Sequence, residues 1–225
     1  MSTFGVMVST IADNINKTNL DTQIKRQVVA AMKKYRNRRF NFNKASSTFT
    51  TSDGQSVYPL PTGFMGDELV EVLDGNFKST LTKRPYSWVA KNDNDSSYKS
   101  EPRVYAMIST SDGIRLFPTP DNGSDTTSGD YPLLLHYHKD LNAAGETGAI
   151  SISASDNVTN AWMTDGFELI EAEATMMLYL KIIRGGESAQ EATKWASLRN
   201  DHLQALVKEY NKAVGSGTVT PYSSR

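Results

Sequence analysis

The chain of 225 residues contains no cysteine, which excludes a disulfide scaffold, a zinc ribbon, a thiol nucleophile and a thiolate-bound cluster. It also lacks an excess of charge of either sign. With 24 Lys+Arg against 25 Asp+Glu the net charge is −1, so neither a histone-like nor a polyanionic character fits. Long apolar runs are missing too. The longest, from Ala174 to Leu180, falls far short of the ~20 residues that cross a bilayer. The first basic residue is Lys17 and no apolar stretch follows a charged start, so no export signal is expected. A hydrophobic share of 38% still suffices for real cores, since disorder couples low apolarity to high net charge.

What is present is arranged in blocks. Residues 1 to 44 and 160 to 214 read as helical, with strands and turns between them, so the expected class is α+β: an antiparallel helical bundle formed by both chain ends with an inserted antiparallel β domain. The corresponding boundaries are 1–44 plus 157–214 for the bundle, 45–156 for the β domain and 215–225 for an extended C-terminal tail. Leu20, Ile24, Val28, Ala31 and Tyr35 share one helix face behind Asp21, a cap candidate, and a shorter helix is expected over Val6 to Asn16. Strand patterns cover Ser47–Thr51, Leu69–Leu73, Arg103–Ile108, Ile114–Phe117 and Tyr131–His138. In the last, Tyr131, Leu133, Leu135 and Tyr137 should line one sheet face. Asn92 to Ser97 and Asp121 to Ser128 read as exposed loops.

Phe167, Ile170, Ala174, Met177 and Leu178 make the stripe of a later helix, with Asp165, Glu168 and Glu171 near its positive end. Gly185 and Gly186 stop it. Ser188 with Glu191 has the pattern of a capping box opening a second arm, which turns Ala192, Trp195, Ala196, Leu203, Leu206 and Tyr210 inward.

Charge is distributed unevenly: −1 over residues 1 to 21, +8 over 22 to 44, −7 over 45 to 160 and −1 over 161 to 225. Between Lys25 and Arg39 stand Lys25, Arg26, Lys33, Lys34, Arg36, Arg38 and Arg39 with no acid among them. Helical geometry puts Lys25, Arg26, Lys33 and Arg36 opposite the apolar face, as a stripe suited to a phosphate backbone or an acidic protein surface. A solvated face that keeps the helix soluble is the bland counterpart.

Other candidate chemistry is weaker. His136, His138 and Asp140 point to one side of a strand as metal ligands can, yet His202 is the only other histidine and no further ligands or supporting shell can be picked out. No metal and no cofactor is expected. Glu168 and Glu171 are explained by the helix dipole, and Glu173 projects toward the apolar sector, where a basic partner is expected. No nucleophile elbow, phosphate loop or dinucleotide fingerprint occurs, so the expectation is a protein that is not an enzyme. The aromatics Phe49, Tyr58, Phe64, Trp88, Tyr98, Tyr105 and Phe117 suit stacking on bases or sugars, and equally a sheet core.

Short motifs in order go further. Tyr35-Arg-Asn-Arg-Arg-Phe40-Asn-Phe42-Asn43, Tyr58-Pro-Leu-Pro61-Thr-Gly-Phe64, Glu101-Pro-Arg-Val-Tyr105-Ala, Ile114-Arg-Leu-Phe-Pro118-Thr-Pro120-Asp121 and Asn160-Ala-Trp162 succeed one another. That succession, from about Phe4 to about Tyr210, resembles the adaptor proteins of tailed bacteriophages, also called head-to-tail connector or tail tubular proteins. The resemblance implies a structural virion protein: a homo-oligomeric ring of twelve copies between the portal protein and the tail nozzle protein, extending a channel through which genomic DNA passes without sequence-specific binding. It implies a virion location at the head-to-tail junction, assembly in the host bacterial cytoplasm, and no membrane partner.

In such a ring the basic residues are expected to meet protein rather than DNA, because a dense cationic wall would hold phosphates that must slide. Val219, Pro221 and Tyr222 are the few anchoring groups of the tail, which would order on docking. Monomers are expected in isolation. Two other classes stay open: a nucleic-acid-binding module using the basic helix 22–40, and a hydrolase using Glu173 or His136 and His138.

Overall fold

The computed structural model describes residues 2–74, 77–93, 97–109, 113–121, 131–146, 148–183 and 185–215. Asn92, Asp93, Ser97 and Asp121 are described, whereas the rest of the two expected loops, 94–96 and 122–128, lies outside these residues, as do Val219, Pro221 and Tyr222. The chain divides into two compact units, one made of 1–43 with 140–225 and the other of 44–139.

The first unit is helical. Helix α1 spans Phe4–Asn14, and Thr3 caps it by accepting the Val6 N–H at 3.3 Å. Helix α2 spans Asp21–Tyr35. Asp21 is its first helical residue rather than its cap, a position held by Leu20 without a side-chain bond; the Asp21 carboxylate still sits at the positive end of the dipole. A short α4 (Ala161–Thr164), α5 (Phe167–Lys181) and α6 (Ser188–Gly215) complete the unit. The expected capping box at Ser188 does not form: the Glu191 N–H bonds the Glu187 carbonyl at 3.0 Å, and the Ser188 hydroxyl donates to the Gly185 carbonyl at 2.7 Å.

Phe4, Met7 and Ile11 of α1, Ile24, Val28 and Met32 of α2, and Ile170, Ala174 and Leu178 of α5 share one core. Helix α5 buries Ala172, Thr175 and Met176 as well, so its buried surface is wider than one apolar stripe. Leu203, Leu206 and Val207 of α6 pack against this core while remaining partly exposed.

Two of the sequence motifs explain each other here. Phe40 and Phe42 stack at 5.1 Å, and Trp162 meets both edge-on at 5.8 and 5.0 Å. Asn43 holds that corner by accepting the Phe40 N–H and donating to the Arg38 carbonyl. Asn160 caps α4 through the Trp162 N–H and donates to Asn142 and to the Gly148 carbonyl. Gly148 is required at that crossing: its φ is +79°, and a Cβ would stand 2.5 Å from the Thr159 carbonyl oxygen.

The second unit is a pair of sheets. Strands β1 (Lys44–Thr50), β2 (Val57–Tyr58), β3 (Phe64–Asp74), β4 (Phe77–Thr80), β5 (Thr82–Lys83), β6 (Val104–Ser109), β7 (Gly113–Phe117) and β8 (Pro132–Lys139) alternate with one helix, α3 (Tyr86–Asn92). One sheet has the order β1-β8-β3-β4 and the other β2-β7-β6-β5. All pairs are antiparallel except β5 with β6, which is parallel; the expectation of a wholly antiparallel domain is corrected to that extent. Leu133, Leu135 and Tyr137 point inward with Val70 and Val72, and meet Tyr58, Tyr105, Ile114 and Leu116 of the second sheet in one core. Tyr131 packs against the same core, as the alternation predicts.

One ionised group ties the two sheets. Register shifts in β3 around Asp67 and Leu69 leave Asp67 opposite the inward Tyr137 and Leu69 opposite the outward His136. Asp67 then accepts from the Tyr105 hydroxyl at 2.6 Å and from Lys83 Nζ at 2.7 Å. Burial opposes its charge, but the bonds from Lys83 and Tyr105 outweigh that and hold the carboxyl below the usual range. Burial and the neighbouring carboxylate push the Tyr105 phenol well above its ordinary value.

A folded-state pKa below the unfolded one means stability present above the unfolded value and lost as pH falls through the folded one. The unfolding midpoint of the β unit should therefore drop below about pH 4. Asp67→Asn should lower stability at neutral pH and flatten that acid limb, measured by urea unfolding followed through tyrosine fluorescence.

Candidate functional site

The cationic segment resolves into two classes of residue. Lys25 reaches Asp156 at 2.8 Å and lies 5.7 Å from the Phe4 ring. Lys34 reaches Glu173 at 2.7 Å. These two are used inside the helical unit. Arg26, Lys33, Arg36, Arg38 and Arg39 are exposed, and none has an acidic partner among the described residues. The outward stripe of Lys25, Arg26, Lys33 and Arg36 thus loses Lys25 to an internal pair, and Arg26, Lys33 and Arg36 carry its free charge.

Glu173 explains why the stripe faces outward. Its side chain is 1% exposed, and it accepts from Lys34 Nζ at 2.7 Å, from the Tyr35 hydroxyl at 2.8 Å and from Arg199 Nη1 at 3.5 Å. One carboxylate on α5 therefore gathers donors from α2 and α6. Burial first, then the Glu173 hydrogen bond and charge, push the Tyr35 phenol well above its ordinary range.

The other carboxylates of α5 diverge. Glu171 accepts from Asn14 Nδ2 at 2.6 Å, and burial raises its pKa, with the charge of Glu168 adding and the Asn14 bond opposing. Glu168 lies 3.0 Å from His202 Nδ1 on α6. Their partners are Asn14 on α1, Lys34 and Tyr35 on α2, and Arg199 and His202 on α6, so Glu168, Glu171 and Glu173 are drawn to three different helices rather than together as an acid/base pair. Around Glu168 opens a cleft of about 310 Å³, floored by Phe42, Leu169 and Leu206 and rimmed by Asp165, Glu168, His202 and Glu209. Sequence reasoning missed this cleft because its walls come from residues 41–42, the end of α4, α5 and α6.

His136 and His138 stand on the outer face of β8. The first lies 3.2 Å from Glu71 and the buried second 2.9 Å from Glu68, which also meets Lys44 at 3.2 Å. Asp140 instead accepts the Asn142 N–H. Among the described residues no cluster of histidine and carboxylate groups can hold a metal, and no helix is long and apolar enough to cross a membrane. Of the candidate stacking aromatics, Tyr58 and Tyr105 are core residues, Phe49 and Phe64 pack against that core, and Trp88 and Tyr98 are exposed. The Tyr58 hydroxyl donates to the Gln55 carbonyl at 2.8 Å and accepts the Ser52 N–H at 2.9 Å, locking the turn before its strand.

The helical unit therefore offers charged surfaces of both signs, a cationic one on α2 and an acidic cleft beside α5. The family described as SU10 adaptor protein matches residues 2–221. The chain belongs to that family. Membership carries a structural adaptor role in a phage particle, in keeping with the resemblance borne by the ordered motifs. No curated protein matches the chain. Nothing in these comparisons favours the nucleic-acid module built on helix 22–40.

The two classes of cation should separate on substitution. Arg26, Lys33 and Arg36 changed together to Glu should keep the helical signal and shift thermal unfolding by no more than a few degrees, because surface changes usually stay within about 0.5 kcal/mol each. Lys34→Glu places a second acid beside buried Glu173 and should cost about 3 kcal/mol. Thermal unfolding followed by circular dichroism measures both.

Proposed function

We propose that this protein forms the ring adaptor between portal and tail nozzle, extending the DNA channel and completing the head-to-tail connection, with twelve copies in the ring. Family membership over residues 2–221 carries this reading. The surfaces agree with it. A ring adaptor needs separate faces for neighbouring copies and for its other partners, and the helical unit carries both a cationic face on α2 and an acidic cleft beside α5.

In this reading the helices of both chain ends act as one bundle, and Arg26, Lys33, Arg36, Arg38 and Arg39 meet acidic protein surface rather than channel DNA. A wall of five free cations would slow sliding phosphates through counterion release and rebinding. Val219, Pro221 and Tyr222 of the tail 215–225 anchor the subunit to the portal or to a neighbour.

The purified protein, alone and mixed with the portal ring of the same virus, should appear by native mass determination and negative-stain electron microscopy as a monomer that becomes an added ring layer. Absence of any association across a range of salt, with the portal intact, refutes the reading. Deleting residues 215–225 should leave the fold unchanged and weaken the layer; undiminished assembly would remove the tail from the interface.

A further inference from the structure

The outer face of the second sheet carries a feature that neither the core nor the cationic helix explains. Strand β7 turns Ile114 and Leu116 inward, so Arg115 and Phe117 face out. Phe117 meets the Trp88 ring edge-on at 5.7 Å and lies 6.1 Å from the Tyr98 ring. The Arg84 guanidinium lies 5.7 Å from the Trp88 ring and that of Arg115 5.9 Å from the Tyr86 ring. Yet Tyr86 is 41% exposed, Trp88 38% and Tyr98 58%.

Scattered exposed aromatics need no explanation, but three held around one strand by mutual ring and cation contacts form a patch. Trp, Tyr and Arg are the residues that carry binding energy at interface centres. Rings already held by neighbours lose little side-chain freedom on docking. The patch is also locally cationic. Arg84 and Lys91 are exposed without an acidic partner among the described residues, whereas Arg115 is paired with Asp93 at 3.3 Å, in a stretch whose net charge is −7 over 45 to 160. A suitable occupant therefore has an apolar floor and an acidic rim.

The cleft of the helical unit has that chemistry: Phe42, Leu169 and Leu206 below, Asp165, Glu168 and Glu209 around. We propose that the aromatic and arginine patch of one copy seats in the acidic cleft of the next copy, so that the contact between copies is head to tail. This rests on the ring reading above and names its subunit interface. Patch and cleft are different surfaces, so the contact is heterologous, the kind that builds rings when its rotation closes. Aromatic rings meet the floor, and Arg84 meets the carboxylates of the rim.

The absence of cysteine from the chain makes the test clean. Lys91→Cys and Glu209→Cys proteins, each folded by circular dichroism, are mixed and treated with a short bismaleimide, both concentrated alone and on portal rings. Cross-linked dimers should form in the mixture and not in either protein by itself. Arg84→Glu and Glu168→Arg should each weaken copy-to-copy contact at least about tenfold, and copies carrying both changes should recover most of it.

Equal cross-linking within a single variant, or no recovery in the double variant, overturns the proposal. Rings seen by microscopy without the mixed cross-link overturn it while leaving the adaptor reading intact. If no ring forms on the portal, the adaptor reading fails, and the cross-link in concentrated protein decides the contact between copies by itself: its presence upholds the contact and its absence overturns it.

Discussion

The helical unit depends on one buried carboxylate. Glu173 sits in the middle of α5 at 1% exposure, where a lone charge would cost several kcal/mol in lost solvation. It is tolerated because Lys34 and Tyr35 on α2 and Arg199 on α6 supply donors from two sides. Removing any one of them leaves the remainder under-satisfied, and unmet polar groups in a core cost more than a made hydrogen bond contributes. This interaction is thus less a source of net stability than a device that specifies which residues of α2 and α6 face α5. A well-packed apolar substitute could be as stable and would specify less.

That specification sets the outer surface. With Lys34 and Tyr35 drawn to Glu173, and Ile24, Val28 and Ala31 in the core, the helical period of 3.6 leaves Arg26, Lys33 and Arg36 no inward position. The same logic governs the β unit. Asp67 is drawn inward to Tyr105 and Lys83, while Glu68, beside it in the chain, meets Lys44 and His138 on the outer face. In both units a buried or half-buried acid organises donors, and the exposed charge is what remains once those demands are met.

Much of the fold was legible in the residues because it rests on local periodicity. The stripe from Leu20 to Tyr35, the inward alternation of Leu133, Leu135 and Tyr137, and the helix beginning at Phe167 follow from side-chain period alone. The register shifts at Asp67 were not legible, because a bulge is set by cross-strand pairing rather than by composition. Strands as short as β2 and β5 leave no alternation to count. Helix α3, carrying Tyr86 and Trp88, is only seven residues long, shorter than two helical turns, so no repeat of its apolar positions marks it. Cation spacing located the basic segment, but which of Lys25, Lys33 and Lys34 is free depends on Asp156 and Glu173, more than 120 residues away. The acidic cleft was invisible for the same reason.

The motifs that carried the family resemblance turn out to hold corners rather than to do chemistry. Phe40, Phe42 and Trp162 lock the exit of α2 against the entry to α5; Asn43 and Asn160 tie the backbone there, and Tyr58 fixes a turn. Such positions tolerate little change because each places ring or amide groups where only one geometry satisfies both packing and hydrogen bonding. The charged surfaces face less demand from the fold: among the described residues Arg26, Lys33 and Arg36 have no acidic partner, and the rim of the cleft is engaged only through the His202–Glu168 pair and the Thr164 hydroxyl on Asp165. A structural adaptor needs that division of labour. Rigid corners hold the shape of the adaptor, and the charged groups that the fold itself does not require are left to be shaped by the partners they meet.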